Sequence, residues 1–464
     1  MRHSLSPFVL LPLGALALLV LGASSCQPPF PAASAAKVTL DPSTQYQTID
    51  GLGGSAANEE TLRAMPEPDR SQVMDLVFGD LEPSVVRFSI PHSIESVNDD
   101  ADSDHLNAAG FTSPEAHLWQ LAEIVLRGSP KLMAAPWSPP AWMKTTGQTC
   151  CGGSLLPGME PELAEFFSAY LGFLERAGHP LDWLSLQNEP EAASPWDANT
   201  YTPQAYAAAA EVVAQRLVRD GHTARLAGPD TALSMFASIF VPSLLAQPTA
   251  GPLLDGIAFH LYEQGYYKVD LVGLALSELR SRVPAQLPLW MTEFSNTTGV
   301  GYGSYDEGFA QAELIHGTLT NGGGMYVVWN LYRPGGPGEA LVVISPTPGV
   351  AGYTVTPKYW TARQFIKYVR PGARRIAATS ADTQLAVSAY SNPDGSTLAV
   401  FLNRSAEPRW AVVEGGALDA PPLFVRTSPS ESGVALPDDS MDRLGPRLLR
   451  LPGRSVATAV WPRP

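Results

Sequence analysis

Trp183-Leu-Ser-Leu-Gln-Asn-Glu-Pro190 and Leu287-Pro-Leu-Trp-Met-Thr-Glu-Phe-Ser295 decide how the chain is read. Each is a short apolar run that ends on a glutamate, and a run of that length between loop residues reads as a buried strand. The strands proper are placed at Trp183–Gln187 and Leu287–Thr292. Working outward, six more runs share the pattern: Asp50–Ser55, Ser84–Ile90, Lys131–Trp137, Arg225–Gly228, Gly256–Leu261 and Gly324–Asn330. Helical patterns alternate with them, among them Pro161–Ala177, Pro203–Asp220, Glu307–Thr320 and a last one at Pro357–Val369. Their apolar residues recur three and four apart, and Pro161 and Pro203 suit first helical positions. Eight strands alternating with helices predict an α/β fold, a (β/α)8 TIM barrel spanning 50–370.

Beyond the barrel the character changes. From Arg374 to Trp461 short runs alternate apolar and polar residues, with Asn392-Pro-Asp-Gly395 as a hairpin turn between Gln384–Tyr390 and Thr397–Leu402. The stretch 371–464 therefore reads as an all-β sandwich domain, to which 38–49 adds a strand or two. Strands drawn from both chain ends imply a unit packed against the barrel.

The first 25 residues read as a signal peptide. Met1-Arg2-His3 precedes an apolar segment, Phe8–Leu21, that is broken by Pro12 and Gly14 and is short for a membrane span. Gly22-Ala-Ser-Ser-Cys26 resembles a bacterial lipoprotein signal with Cys26 as the lipidated residue, although Ala23 stands where leucine is usual; ordinary secretion is the alternative. Residues 26–37, rich in Pro, Ala and Ser, read as a tether. Both alternatives export the protein, with membrane attachment through Cys26 in the first.

Of the 464 residues 45% are hydrophobic and 16% charged, a globular composition. A net charge of −15, with no run of five like charges, argues against a nucleic-acid partner, which needs a basic surface. The remaining cysteines, Cys150 and Cys151, are adjacent. They form either a strained vicinal disulfide or two free thiols, and have no metal-ligand spacing. No cofactor is implied, and the oligomeric state is left open.

A barrel of this kind carries its site at the C-terminal strand ends. There the reading places Arg87, Trp137, Asn188, Glu189, His260, Tyr262, Glu293 and Trp329. A lone glutamate after a strand is usually solvated. Two on the fourth and seventh strands face each other across the barrel mouth, the arrangement that glycosidic hydrolysis requires. Tryptophans at strand ends suit a sugar-stacking wall or ordinary core packing. His260 suits a contact with substrate or with Glu189, or a structural role. Lys144, Glu191 and Glu263 are read as solvated loop residues.

Six segments carry a more specific resemblance: Asp50-Gly-Leu-Gly-Gly54, Arg87-Phe-Ser, Ala135-Pro-Trp-Ser-Pro-Pro-Ala-Trp-Met-Lys144, Leu186-Gln-Asn-Glu-Pro190, Trp290-Met-Thr-Glu-Phe-Ser295 and Tyr368-Val-Arg-Pro-Gly372. They resemble glycoside hydrolase family 30, which contains glucosylceramidases, endo-xylanases and β-1,6-glucanases. The resemblance implies a retaining β-glycoside hydrolase acting on a β-linked oligosaccharide, polysaccharide or glycolipid, with Glu189 as acid/base and Glu293 as nucleophile. It further implies that Asn188 holds the sugar 2-hydroxyl and that Arg87 and Tyr262 hydrogen-bond the nucleophile and keep it ionised, since an opposite charge and donated hydrogen bonds both lower a carboxylate pKa. Trp137 and Trp329 would line the first sugar subsite. Asn58 stands where glucosylceramidases carry an aspartate, which weakens a glucosylceramide substrate. The long loop Tyr332–Thr356 would decide between exo action and an endo-acting xylanase or β-1,6-glucanase. A reading of another class is a carbohydrate-binding lipoprotein that has lost catalysis.

Overall fold

The computed structural model describes residues 35–463 apart from 101, 264–265, 417, 438–439, 441 and 445–446. The signal segment, Cys26 and the tether up to residue 34 lie outside the described residues. The first strand, β1, spans Ala36–Thr48 and so begins inside the segment read as tether. Its alternation buries Val38 and Leu40.

Eight parallel strands then close a barrel: β2 (Gly51–Ser55), β3 (Val85–Ser89), β4 (Lys131–Ala135), β5 (Trp183–Leu184), β6 (Arg225–Thr231), β7 (Leu254–His260), β8 (Leu289–Phe294) and β9 (Gly323–Val328), which pairs back to β2. The glycine motif of β2 answers to sterics. A Cβ on Gly53 would lie 1.8 Å from the Val85 carbonyl oxygen, and one on Gly54 would lie 2.6 Å from Val328. Helices surround the barrel, and two start where sequence places caps. The Thr202 hydroxyl accepts from Ala205 N at 3.2 Å at the head of Pro203–Asp220, and Ser304 accepts from Glu307 N at 3.1 Å before Tyr305–Thr320. The barrel floor is an apolar plug of Val85, Met133, Ala227, Ala258, Trp290, Met325 and Val327.

Several strands end earlier than the apolar runs suggest. β4 stops at Ala135 and β5 at Leu184, because the chain leaves the ladder at the rim to form the site. The loop after β9 is folded, carrying a three-stranded sheet of β10 (Tyr332–Pro334), β11 (Val342–Ile344) and β12 (Tyr353–Val355).

The remaining strands are β13 (Arg374–Ser380), β14 (Leu385–Ser391), β15 (Thr397–Asn403), β16 (Arg409–Glu414), β17 (Leu423–Ser428), β18 (Glu431–Leu436), β19 (Arg443–Leu444), β20 (Leu448–Leu451) and β21 (Ser455–Trp461). With β1 they form a ten-stranded sheet in the order β18-β17-β21-β15-β14-β13-β1-β16-β20-β19. It wraps a core that includes Val38, Leu40, Phe401, Val413, Phe424, Leu449 and Trp461. The N-terminal segment contributes a single long strand, antiparallel to β13 and parallel to β16. This unit shares apolar packing with the barrel, since Tyr390, Leu398, Val400, Leu402 and Val456 belong to the same buried cluster as Tyr359 and Phe365. Polar contacts fix the junction: Thr458 Oγ1 donates to Gln364 O at 2.7 Å, and Arg404 grips Glu313 through two bonds of 2.8 and 2.7 Å.

Candidate active site

Arg87, on β3, is completely buried and organises the rim. Its guanidinium donates to Glu293 Oε2 at 2.6 Å, Asn188 Oδ1 at 2.7 Å and Asp230 Oδ2 at 2.8 Å, and lies 4.8 Å from the Trp137 ring centroid. Tyr262 donates its hydroxyl to Glu293 Oε1 at 2.8 Å. Both Glu293 oxygens are thus fixed, one by a donor on β3 and the other by a donor just after β7. His260, also fully buried, bridges Glu189 Oε1 at 3.1 Å and Asp230 Oδ1 at 3.3 Å. Glu189, Glu293 and His260 each present an atom within 4.8 Å of the others.

Glu189 is held by backbone as well as by side chain. It has φ +51°, a conformation rare for a residue with a side chain, and its N–H donates to Asp230 O at 2.9 Å. Asn188 N–H donates to Pro136 O at 2.9 Å, which ties the end of β5 to the loop that carries Trp137. Trp137 and Trp329 stand half-buried with ring centroids 5.3 Å apart, tilted by 36°. Trp329 Nε1 donates to Glu339 Oε2 at 3.3 Å, so the folded loop after β9 sets its orientation.

At Glu293 burial and the neighbouring charges oppose each other. Burial is the largest influence and pushes its pKa up; His260, Arg87 and Tyr262 pull it down while Glu189 raises it, and the net shift is upward. Arg87 and Tyr262 hydrogen-bond Glu293 and pull its pKa down as the resemblance implies, while desolvation works against them. For His260 burial works towards the neutral ring, yet Glu293, Asp230 and Glu189 outweigh it and raise its pKa to about 10. The ring is therefore an imidazolium at neutral pH, donating to carboxylates through both nitrogens. A histidine with both nitrogens protonated is a poor metal ligand, and the neighbouring Arg87 adds a second positive charge.

All eight barrel residues singled out in the sequence fall in this cluster. Arg87 hydrogen-bonds Glu293 as the resemblance implies, and His260 reaches Glu189, one of the contacts read for it; both side chains are fully buried. Their influence on a substrate passes through those groups. Lys144, Glu191 and Glu263 are not solvated. Lys144 Nζ donates to the carbonyls of Thr149 and Ala198 at 2.9 and 2.6 Å, and burial lowers its pKa to about 8. Glu191 accepts from Leu233 N at 3.2 Å, Glu263 accepts from Ser234 N at 3.0 Å, and burial raises Glu191 to about 7. Cys150 and Cys151 form a vicinal disulfide.

Asp230 was missed. Fully buried, it joins Arg87, His260 and Thr292 Oγ1, the last at 2.5 Å, and these partners hold its pKa well below the usual range against its burial. The sequence reading closes the fifth strand at Gly228. The strand runs to Thr231, and the aspartate follows Pro229 directly.

Residues 372–459 match the glycosyl hydrolase family 30 beta sandwich domain. The chain is 25% identical to the lysosomal acid glucosylceramidase of Mus musculus over 407 residues, covering 80% of this chain and 78% of that protein. It is 27% identical to the glucuronoxylanase XynC of Bacillus subtilis over 301 residues, 62% of this chain and 63% of that enzyme. In fold it is similar to the catalytic domain of the family 30 xylanase C of Talaromyces cellulolyticus, with a TM-score of 0.75 at 21% identity over 92% of this chain and 99% of that one. With its closed barrel, its ten-stranded β-unit and these matches, the chain is similar to glycoside hydrolase family 30 and is an O-glycosyl hydrolase.

Proposed function

We propose that the protein hydrolyses β-linked glucosides, xylosides or related glycans with retention, Glu293 attacking the anomeric carbon and Glu189 serving as acid and then base. The observation that carries this is the close approach of the two carboxylates, whose nearest oxygens lie within 4.8 Å. Retaining pairs stand about 5–5.5 Å apart, whereas inverting pairs need about 6.5–9.5 Å to admit a water between them. The division of roles follows from the partners. Glu293 has both oxygens held by Arg87 and Tyr262, which aims one lone pair into the cleft. Glu189 is bonded to a cationic histidine, which orients it and steadies its carboxylate after it has protonated the leaving oxygen. Arg87 occupies the Asn188 carbonyl oxygen, leaving the amide Nδ2 to donate to the sugar 2-hydroxyl. Trp137 and Trp329 offer faces for the pyranose ring. We also place the protein outside the cytoplasm, attached through a lipidated Cys26; Cys26→Ser should then abolish lipid labelling and release soluble protein.

Chemical rescue tests the roles. Glu293→Gln should lose activity on every substrate. Glu189→Ala should still form the glycosyl-enzyme from a dinitrophenyl β-glycoside, with a burst of phenol and slow turnover that azide accelerates, yielding the β-glycosyl azide. General acid/base assistance is worth about 10²–10⁴-fold, so the loss should be far larger on unactivated glycans. An α-azide, or equal losses on both substrate types, would overturn the assignment. A panel of aryl β-glycosides and β-glycans identifies the sugar, and binding without turnover would favour a carbohydrate-binding role.

A further inference from the structure

A second carboxylate cluster lies away from the catalytic pair, where the loop after β3 packs on the helix Glu160–Arg176. Glu95, Asp99 and Glu162 each present a carboxylate oxygen, all within 4.8 Å of one another. Glu165, one turn further along the helix, is fully buried, and neither of its oxygens finds a hydrogen-bond partner. Glu95 Oε2 and Glu162 Oε2 are likewise buried and unpartnered. The nearby cation is Arg216, 3.9 Å from Glu165 Oε1, and its stronger bonds go to Asp220 and the Ser103 carbonyl. Asp100 and Asp102 add further negative charge to Glu162, while Asn98 donates to it. Buried carboxylates without partners are resolved either by protonation or by a bound cation.

The loop is shaped to hold the cluster open. Asp99 Oδ1 accepts from Asp100 N and Oδ2 from Asn107 N, both at 2.9 Å, and Asp99 N reaches Glu95 Oε1 at 3.4 Å. Gly110 closes against it so tightly that a Cβ there would lie 2.2 Å from the Asp99 Cβ.

We propose that Glu95, Asp99, Glu162 and Glu165 form a calcium site that locks the loop after β3 onto the helix after β4. The donors are all carboxylate oxygens, which suits a hard cation and not zinc. Calcium–oxygen distances of about 2.3–2.6 Å put opposed ligands at most about 4.6–5.2 Å apart, and the spacing of Glu95, Asp99 and Glu162 fits inside that sphere, with Glu165 one turn further along the helix as the remaining carboxylate. The site connects to the cleft through the Glu95 carbonyl, which accepts from Trp142 Nε1 at 3.1 Å in the loop that also carries Trp137. Without a cation, burial and the neighbouring acids push Glu95 and Glu165 up to about 8, so binding at pH 7 displaces protons.

The test uses the full chain stripped with a chelator. Calorimetric titration with calcium chloride should give one site per chain, with proton release visible as a difference between buffers of unlike ionisation enthalpy. Terbium should bind competitively and luminesce when tryptophan is excited, and calcium should raise the melting temperature well beyond the effect of equal magnesium. Glu165→Gln and Glu162→Gln should melt no lower than wild type in chelator, since each replaces a carboxyl crowded by other acids with a neutral amide of the same shape, while binding calcium at least tenfold more weakly. The proposal is overturned if stripped wild-type protein shows no calcium heat and no melting shift, if magnesium acts equally, or if both glutamine variants keep wild-type affinity.

Discussion

The floor and the rim of the barrel interior are built by the same strands and held together by opposite means. On β3 the inward residues are Val85 and then Arg87; on β7, Ala258 and then His260; on β8, Trp290 and then Thr292 and Glu293. Two or three residues, about 7–10 Å of strand, separate an apolar plug from a buried ionic network. The plug depends on volume, with Trp183 and Trp290 in tilted contact at 4.8 Å. The rim depends on a balance of charge: Arg87 and His260 against Asp230, Glu189 and Glu293. Register irregularities make the change of character. Asp230 is the unopposed residue between the Pro229–Ala258 and Thr231–Phe259 pairs, and Thr292 is the unopposed one between Phe259–Met291 and His260–Glu293. Such bulges re-aim side chains without ending a strand.

The largest effect should come from removing the cation at the centre of the rim. Arg87→Met keeps much of the volume but leaves Glu293 and Asp230 buried without their partner. Breaking a buried pair in this way typically costs about 3–5 kcal/mol, and loss of a charge-stabilising donor about 10²–10³-fold in kcat. Denaturant unfolding and kcat on an aryl β-glycoside should fall together. If stability drops and kcat does not, Arg87 is structural only, and the contrast between floor and rim loses its functional half.

That contrast was partly legible in the sequence. Glu189 and Glu293 stood out because each directly follows an apolar run, and the strand count placed them on the same face. Asp230 did not, because a proline precedes it and no local pattern announces a bulge. The buried states of Lys144, Glu191 and Glu263 were equally hidden, since a charged residue in a loop carries no local sign of what will cover it. The β-unit was visible as alternation in 38–49 and after 374. Its parallel pairing of β1 with β16 was not, because residues more than 370 positions apart in sequence meet only once the barrel between them has folded.

A smaller effect is expected at Asp230, which supports the rim without facing the cleft. His260 is raised above its unfolded value, so its stabilising contribution is complete below about pH 6.5 and is lost as pH rises through about 10. Asp230→Asn removes one of the carboxylates that hold this proton. The ring should then lose its proton at lower pH, which nitrogen NMR of labelled histidine reads directly, and the alkaline loss of stability should finish earlier. Because Glu293 is raised by burial, activity in both proteins should fall with acid at a pH above the usual carboxylate value. An unchanged His260 titration in Asp230→Asn would mean that Glu189 and Glu293 alone hold the proton.

The smallest effect on catalysis belongs to the floor. Gly256 lies beneath the Trp290 ring, and a Cβ at that position would sit 2.3 Å from Trp290 Cδ2 and Cε3, inside any real contact distance. Trp290 cannot easily yield, because Trp183 packs against it and its Nε1 donates to Asp50 Oδ2 at 2.7 Å. Gly256→Ala should therefore destabilise by about 1–3 kcal/mol, the usual effect of overpacking, and the double variant Gly256→Ala with Trp290→Phe should recover part of it by making room. The change begins one level of the barrel below the ionic network, and no charge in the rim loses a partner. Under conditions where both proteins are folded, kcat/KM should stay within about threefold of wild type, on the order of 0.65 kcal/mol. An activity loss comparable to that of Arg87→Met would show that floor and rim move as one unit, and that the sharp division drawn between volume and charge does not describe how this barrel works.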